Sequence, residues 1–484
     1  MTTYLCDANK EVEDREAPQQ LASTFMIGRW TFHSYKKSHD DQTLIFHLHE
    51  GFQLRRGDET SKVEMNLRKH NPREFLFSPD NSQVAFWGPI EKNEPWKRIA
   101  LMQLSSISNP KHKIIYTPPP NHHPFGMEWS PTGKHLYVVE YMKEMIGKKD
   151  GLVYSILSRL ALNGKKTELF RTLGKIDFFM PPVSRFENGQ GPTGAPYRLV
   201  LGCENGLYLV DPKNGKNQRL SKIPAMGLHN LEWNPDPKKN QLLLFFRNPV
   251  VAPDGRRFQG LYKVDIDKMD AALKSLPSGG TLDEKEFIEQ LHQQRNIHTL
   301  WFSPKGTYMT WASEDAIFFR RPEDPTEKTA VIEILDEDNN PRKLKGVSWN
   351  HEENKLVFSA DSQVWIYDLD PEEDKDKDKK EEEEEKKKKE AEAAKGEEKK
   401  PAEVEADALS EEELIEKITG KKPEKWMIAE FPEGFVAEPE WFNGKIVLSH
   451  YREASEEIRK ARSVGNTKAS APKIRLRGKN ATRR

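Results

Sequence analysis

Cysteine is almost absent from this chain, which contains Cys6 and Cys203 among its 484 residues. Two cysteines cannot build a disulfide framework, so we expect both thiols to be reduced and structural. Long apolar runs are absent as well. No segment approaches the roughly 20 apolar residues that a membrane-spanning helix needs, and no signal-peptide core follows Met1. These absences favour a cytoplasmic protein without a membrane partner.

The familiar signatures of catalytic domains are missing too. The sequence has no G-x-S-x-G nucleophile elbow, no helical H-E-x-x-H, no P-loop and no dinucleotide fingerprint. No stretch is left over that would form a second catalytic domain of normal size. The sequence therefore favours a non-catalytic protein without a cofactor or a metal, and it leaves an enzyme as the alternative.

What recurs in the chain is a tight turn, in which an aromatic residue is followed by Ser or Asn and then Pro. Proline presets φ for the next turn position, and Asp, Asn or Gly completes the turn before a second strand returns. Self-similarity at a spacing of about 40–55 residues is typical of a propeller or a solenoid. Full copies begin at Phe77, Trp129, Trp233 and Phe302, and a decayed copy begins at Trp349.

Short strands can be placed around each turn. An apolar stretch follows the turn, and a third strand often ends in Asp, as at Asp211, Asp265 and Asp368. A fourth strand is readable at 113–116 and at 330–334. Four short strands per repeat make up a propeller blade, so the sequence predicts an all-β propeller.

The turn and its flanking strands resemble the WD40-like repeats of TolB-type β-propellers over most of residues 70–450. Residues 176–200 depart from this pattern because they lack the turn. The resemblance implies the blade architecture and little about function, since such blades occur in binding proteins, in assembly scaffolds and beside hydrolase domains.

The number of blades depends on the N-terminal region. The turn copies, the weak blade after 176 and a closing blade predict seven blades, and eight result if 24–67 form a blade of their own. We expect the blades to span 24–370 and the last propeller strands to lie in 425–451. The closing blade has only two strands at the C-terminal end, so its missing strands are expected at 43–49 and 52–55. Such pairing removes free sheet edges.

A tract rich in Glu and Lys interrupts the blades at 371–424. Its composition cannot bury a core, so we expect it to be disordered or a solvated helix or coiled coil. It follows a third strand and precedes a fourth, which places it inside blade six. A short amphipathic helix is predicted at 410–418, ending at Gly420. A solvating spacer is favoured over a charged docking arm.

Histidines suggest a candidate ligand site. His229 and His298 each lie four residues before the aromatic of a turn, and Arg73 and Lys345 occupy equivalent positions. In superimposable blades these four residues would ring one mouth of the channel and accept an anionic ligand or an acidic peptide. The alternative is that they hydrogen-bond neighbouring loops. A metal-dependent enzyme that uses the channel would instead bind its metal through His47, His49, His122 or His229.

The C-terminal tail, residues 452–484, is a second candidate site, because it is basic and has few acidic residues. It lacks interleaved aromatics, so it would contact phosphates without stacking on bases. The alternative is a solvating tail, or one that docks on the acidic part of the insertion. The candidate phosphate contacts are Lys473, Arg475, Arg477, Lys479, Arg483 and Arg484.

Together these patterns predict a cytoplasmic β-propeller that serves as a protein-binding or assembly scaffold, with a partner that the sequence does not identify. A metal-dependent enzyme that uses the channel is one alternative. An RNA- or ribosome-associated propeller that uses the basic tail is the other.

Overall fold

The computed structural model describes most of the chain between residues 2 and 451. The described ranges are 2–10, 16–23, 35–48, 51–64, 73–88, 98–143, 151–181, 197–225, 227–236, 238–252, 255–275, 283–292, 299–322, 329–370, 415–416, 418–419, 422–431 and 433–451. Within them the chain forms eight antiparallel sheets of four strands each. The protein is a β-propeller of eight blades, the larger of the two predicted counts.

Two strands, β1 (Thr2–Cys6) and β2 (Gln19–Ser23), come first in the chain and belong to the last blade. Blades 1 to 4 follow, each made of four consecutive strands. Their bounds are β3 to β6 at Tyr35–Lys37, Thr43–Leu48, Gly51–Arg56 and Glu59–Glu64; β7 to β10 at Arg73–Phe77, Gln83–Gly88, Arg98–Gln103 and His112–Tyr116; β11 to β14 at His122–Trp129, His135–Lys143, Val153–Ala161 and Lys166–Leu173; and β15 to β18 at Ile176–Met180, Leu199–Cys203, Gly206–Val210 and Asn217–Ser221.

Blades 5 to 7 repeat this arrangement, and blade 8 combines β31 and β32 with β1 and β2. The bounds are β19 to β22 at Leu228–Trp233, Gln241–Val251, Arg257–Asp265 and Ile288–His292; β23 to β26 at Thr299–Phe302, Met309–Ala312, Ala316–Arg320 and Ala330–Glu333; β27 to β30 at Leu344–Trp349, Lys355–Ala360, Gln363–Asp368 and Glu424–Glu430; and β31 and β32 at Phe435–Phe442 and Lys445–Tyr451.

Within the described ranges, helical structure is confined to two connections. One α-helix, α1 (Ile266–Ser275), and a 3-10 turn (Glu284–Glu286) lie between β21 and β22, and the sequence did not predict them. Residues 415, 416, 418 and 419, inside the predicted amphipathic helix, are helical, and Ile415 and Ile418 join the core of blades 6 and 7. No helix in the described ranges has the length and apolar character that crossing a membrane requires.

The first strands of neighbouring blades contact one another and surround a central channel. Because strands alternate in direction within a blade, each connection is assigned to one of two faces. The face where first strands begin, here called the loop face, carries the connections from second to third strand and from blade to blade. The opposite face, here called the turn face, carries those from first to second and from third to fourth strand.

Blade 8 joins the two ends of the described chain. Its β1 pairs with β32 in antiparallel register, from Thr2 opposite His450 to Cys6 opposite Ile446. The expectation that 43–49 and 52–55 complete this blade is therefore wrong, because those residues form β4 and β5 of blade 1. The sequence did not predict β1, in which Thr3 and Cys6 are buried.

The recurring turn is held by its Ser or Asn side chain. Ser78 Oγ accepts a hydrogen bond from the Gln83 N–H at 3.0 Å, and Ser130 and Ser303 make the same contact to His135 and Tyr308. Ser38 does so in blade 1, where its oxygen lies 2.8 Å from the Thr43 nitrogen. That copy lacks proline, which explains why the sequence pattern missed blade 1.

These turns also contact one another on the turn face. The His39 N–H donates to Asn81 Oδ1 at 2.8 Å, which joins blades 1 and 2. The Lys305 N–H donates to the Glu353 carboxylate, which joins blades 6 and 7. His351 Nε2 lies 3.2 Å from Asp41 Oδ2, so the turns of blades 7 and 1 are joined as well. The turn face is therefore bound together at the channel mouth.

The two cysteines are free and buried. Burial raises the pKa of the Cys6 thiol and of the Cys203 thiol to about 12, so both remain protonated at neutral pH. Cys6 and Cys203 pack within the apolar cores of their blades, and their reduced state stays a prediction.

Candidate functional site

Three of the four residues predicted at a channel mouth are placed by the structure on the loop face. Arg73 begins β7, and His229 and Lys345 are the second residues of β19 and β27, all of which are first strands. His298 lies outside the described residues. The His229 ring meets Phe245 edge-on at 5.8 Å between centroids. A shared ligand for these residues stays a prediction.

Lys345 has a specific neighbour at this mouth. Its Nζ lies 3.7 Å from the centroid of the Phe435 ring, a cation–π contact. Phe435 stacks on Tyr451, with centroids 5.0 Å apart and planes 9° apart. Burial lowers the pKa of the Lys345 ammonium. The result is a small aromatic and cationic surface at the start of blade 8.

Exposed apolar side chains are concentrated on the loop face. Leu152 and Val153 stand at the start of β13, and Leu173 ends β14 beside them, so these three share the rim of blade 3. The other three belong to blades 5, 6 and 8. All six large apolar side chains that are exposed in the described ranges lie on this face, and they are Leu152, Val153, Leu173, Val251, Leu335 and Phe435.

The remaining candidate histidines do not come together in a metal site. His47 is in β4 of blade 1, His122 is in β11 of blade 3, and His49 lies outside the described residues. His122 Nδ1 is 3.4 Å from Glu140 Oε2 in a buried cluster. Within the described part of the chain, no group of three or more His, Cys, Asp or Glu could hold a metal ion.

The cluster around Glu140 has a structural role. Glu140 is completely buried and accepts a hydrogen bond from the Tyr116 hydroxyl at 2.8 Å. Lys166 Nζ donates to both Glu140 and Tyr116, so the carboxylate is paired. Burial and the neighbouring Glu140 raise the pKa of Tyr116. These groups satisfy each other and leave no open position for a ligand.

Carboxyl groups on the first strands were missed by the sequence reasoning. Three first strands contain a Glu-Trp dipeptide, at 128–129, 232–233 and 440–441. The tryptophans are buried between blades, and side chains alternate along a strand, so each glutamate lies on the opposite side of an innermost strand from its tryptophan. The repeated dipeptide was the sequence signal that would have located these carboxyls.

Two of these carboxyls have strongly shifted pKa values. Burial raises the pKa of Glu128 to about 7, with a smaller opposing effect from Lys36 and a reinforcing one from Glu74. Burial also raises the pKa of Glu232 well above its usual value, although the Phe302 N–H donates to one of its oxygens at 3.1 Å. Both carboxyls therefore hold a proton more readily than an exposed glutamate does.

Glu232 opens into a cavity of about 290 Å³ at the turn-face end of the channel. Its aromatic lining comes from Trp301, Phe302, Trp349 and Trp441. The other charged groups are already engaged with one another. Lys37 Nζ donates to Asp41 Oδ1 and to the Trp441 carbonyl, both at 2.8 Å, and His351 contacts the same Asp41. Among the residues that the structure describes, no cation pairs with the carboxyl of Glu232.

The basic tail and the charged insertion start from opposite faces. The predicted tail contacts, from Lys473 to Arg484, lie outside the described residues, but β32 ends at Tyr451 on the loop face. The insertion leaves after β29 and returns into β30, both in blade 7, on the turn face. The blade predicted as the sixth is the seventh here, because residues 35–64 add one.

The comparisons with known proteins extend only to folds. No family model and no curated protein matches the chain. An oligogalacturonate lyase from Vibrio parahaemolyticus is 12% identical with a TM-score of 0.42, covering 76% of this chain and 92% of its own. The dehydrogenase NirN, solved in complex with DHE, is 12% identical with a TM-score of 0.43, and the match covers 76% of this chain and 70% of NirN. A eukaryotic initiation factor is 10% identical with a TM-score of 0.40, and the match covers 76% of this chain and 92% of the factor.

Identities this low say nothing about a shared activity. The propeller fold of the chain rests on its own eight sheets, and the narrower resemblance to TolB-type repeats stays a prediction.

Proposed function

We propose that the protein is a protein-binding or assembly platform whose partner docks on the loop face of the propeller. The observation that carries this proposal is the one-sided placement of the exposed apolar side chains. Isolated surface apolar residues are ordinary, but a bias of all six toward one face is typical of an interaction surface. The Lys345, Phe435 and Tyr451 stack adds an aromatic anchor of the kind that interfaces favour.

The blade 3 group gives the strongest local support. Leu173 is 57% exposed and Leu152 is 44% exposed, and both stand at one end of the same sheet. Burial of such side chains stabilises a complex by about 1.5–3 kcal/mol each when it is complete. A partner that covers this rim would therefore gain affinity from residues that contribute little to the fold.

The test is affinity capture from nuclease-treated lysate with matched surface variants. The double variant Leu152→Glu with Leu173→Glu is expected to lose at least about tenfold in the yield of its specific partners, because charged groups would be buried at the interface. Lys134→Glu, exposed on the turn face of the same blade, changes the net charge by the same amount and is the control. Equal partner yields for both variants would overturn the proposal.

Nucleic-acid binding is the second candidate function, and the charge of the C-terminal tail favours it. From residue 458 to 484 the chain has Lys and Arg but no Asp or Glu. The strand before this tail ends on the loop face, so phosphate contacts and protein contacts would share that side of the molecule. Capture of partners that disappear on nuclease treatment would favour this function over a protein scaffold.

A further inference from the structure

We propose that the turn-face cavity at Glu232 binds an alkylammonium group, supplied either by a small amine or by a lysine side chain of a partner. This site is separate from the proposed loop-face interface and does not depend on it. It is built from one carboxyl group, an aromatic wall and a set of neighbours that are already paired.

The carboxyl of Glu232 has an unused hydrogen-bonding position. One oxygen accepts from the Phe302 N–H at 3.1 Å, and no hydrogen bond to the other oxygen occurs within the described residues. The side chain is half-buried and borders the cavity. A buried polar atom that faces open space is normally satisfied by water or by a ligand. A ligand that carries N–H donors would satisfy it.

The walls of the cavity favour a cation. Trp301, Trp349 and Trp441 contribute to its lining, and indole is the ring with the strongest attraction for cations. A cation placed here would therefore gain from the tryptophan rings as well as from the carboxylate. An anion would gain neither of these two interactions.

The cations already present do not neutralise Glu232. Lys37 is held by Asp41 and the Trp441 carbonyl, and His351 also contacts Asp41. Glu128 and Glu440, the glutamates of the other two Glu-Trp dipeptides, belong to different first strands and are acidic too, so neither supplies a cation. Within the described residues no cation pairs with Glu232, so a positive partner for its carboxylate would come from a ligand.

Size and access suit a single side chain. The volume of about 290 Å³ lies at the lower end of the range for ligand pockets, roughly 300–1,000 Å³. The cavity reaches the turn face beside His351, whose side chain is 59% exposed. An extended butylammonium chain, the end of a lysine residue, matches this space better than a drug-sized molecule.

Binding should release a proton. Because burial raises the pKa of Glu232 well above its usual value, the protonated carboxyl loses its proton when it pairs with an ammonium group. We therefore expect the affinity for butylammonium to rise with pH as the carboxyl deprotonates, with up to about one proton released per ligand bound.

The experiment is calorimetric titration of the full chain with butylammonium chloride in two buffers of different ionisation enthalpy. Glu232→Gln is expected to weaken binding at least about tenfold and to abolish proton release. Glu128→Gln replaces the matched glutamate of another Glu-Trp dipeptide, outside the cavity, and should leave binding unchanged. Trp301→Leu tests the aromatic wall and should also weaken binding. It replaces Glu232→Gln as the test if a melting experiment shows that Glu232→Gln is unstable.

Three results would overturn the proposal: no binding of butylammonium, equal binding by Glu232→Gln, or equal binding of tetramethylammonium, which has no N–H to donate. A lysine-containing tripeptide distinguishes the source of the group. Tighter binding of the tripeptide than of butylammonium points to a partner's side chain, and weaker binding points to a small amine.

Discussion

The two faces of this propeller differ in what their chain segments are committed to. On the turn face, Ser38, Ser78, Ser130 and Ser303 hold tight turns, and neighbouring turns hydrogen-bond to one another. On the loop face, blades 3, 5, 6 and 8 present apolar side chains to solvent. The difference teaches that hydrogen bonds between turns stabilise the ring on the turn face. Surface residues of the loop face are not needed for that stability, so they can serve binding instead.

The largest expected effect belongs to the tail that leaves the loop face. If its six candidate cations contact phosphates, the log–log salt slope of nucleic-acid binding should be about −4 to −5, so raising salt from 50 to 200 mM should weaken binding by roughly 250- to 1,000-fold. Deleting 466–484 should remove most of this slope. Fluorescence anisotropy with two single-stranded oligonucleotides of different sequence measures both quantities, and the two should bind alike.

Equal binding by full-length and truncated protein, or no binding by either at 50 mM salt, would contradict a nucleic-acid role for the tail. The melting temperature of the truncated protein is the control, and it should not change because the deletion starts well beyond β32.

The channel between the two faces should respond to pH. Burial raises the pKa of Glu128 to about 7, from 4.5 when it is exposed. A carboxyl with a raised pKa favours the folded state at low pH, and this contribution is lost as pH rises from about 4.5 through 7. The loss amounts to about 3 kcal/mol for this group. Urea unfolding at pH 5 and pH 8 should show a smaller decrease in stability for Glu128→Gln than for the wild type, and parallel decreases would refute the assignment.

Replacing one glycine on each face allows the stability contributions of the two faces to be compared directly. Gly306, on the turn face, and Gly255, on the loop face, both have positive φ, 79° and 84°. A Cβ at Gly306 would lie 2.4 Å from Asn234 Oδ1 in the next turn, whereas a Cβ at Gly255 would meet nothing within 4 Å. Alanine should therefore cost about 1 kcal/mol at Gly255, from backbone strain alone, and about 2–3 kcal/mol at Gly306, where the contact adds to it.

Denaturant unfolding of Gly306→Ala and Gly255→Ala measures this difference. Similar losses of stability for the two variants would show that the turns do not depend on their mutual contacts, and would remove the distinction between the faces.

The smallest effect is expected for the charged insertion. Deleting 371–405 should change the free energy of unfolding by less than about 0.5 kcal/mol, because a tract of this composition buries little apolar surface. Calorimetric melting of the shortened chain measures it, with far-ultraviolet circular dichroism to confirm a β-rich fold. A large decrease would show that the tract contacts the propeller body.

Much of the fold could be predicted from the chain because the blade unit is local. The Ser or Asn of each turn, its proline and the following apolar strand specify a hairpin without reference to the rest of the molecule. The blade count was less certain, because Ser38 makes the same turn without proline and β1 is short and begins with threonines. Pairing between β1 and β32 is a contact across the whole chain, which no local pattern reports.

The candidate sites were harder to predict than the blades. The first strands place Arg73, His229 and Lys345 at one end, as their spacing indicated. Glu232 escaped notice because the Glu-Trp dipeptide stands out only when three first strands are compared with one another. Its significance comes from burial, from the Phe302 N–H and from a cavity shared by several blades, and these depend on the closed ring.

The pairing of β1 with β32 also has a consequence for folding during synthesis on the ribosome. Thr2 is made early, but its partner His450 emerges only after 448 further residues, a delay of roughly 20–90 seconds at ordinary rates of synthesis. Throughout that interval seven blades can form while the ring stays open. The nascent chain therefore exposes two unpaired strand edges, which can pair with the edges of other chains. A chaperone that covers these edges would prevent such aggregation.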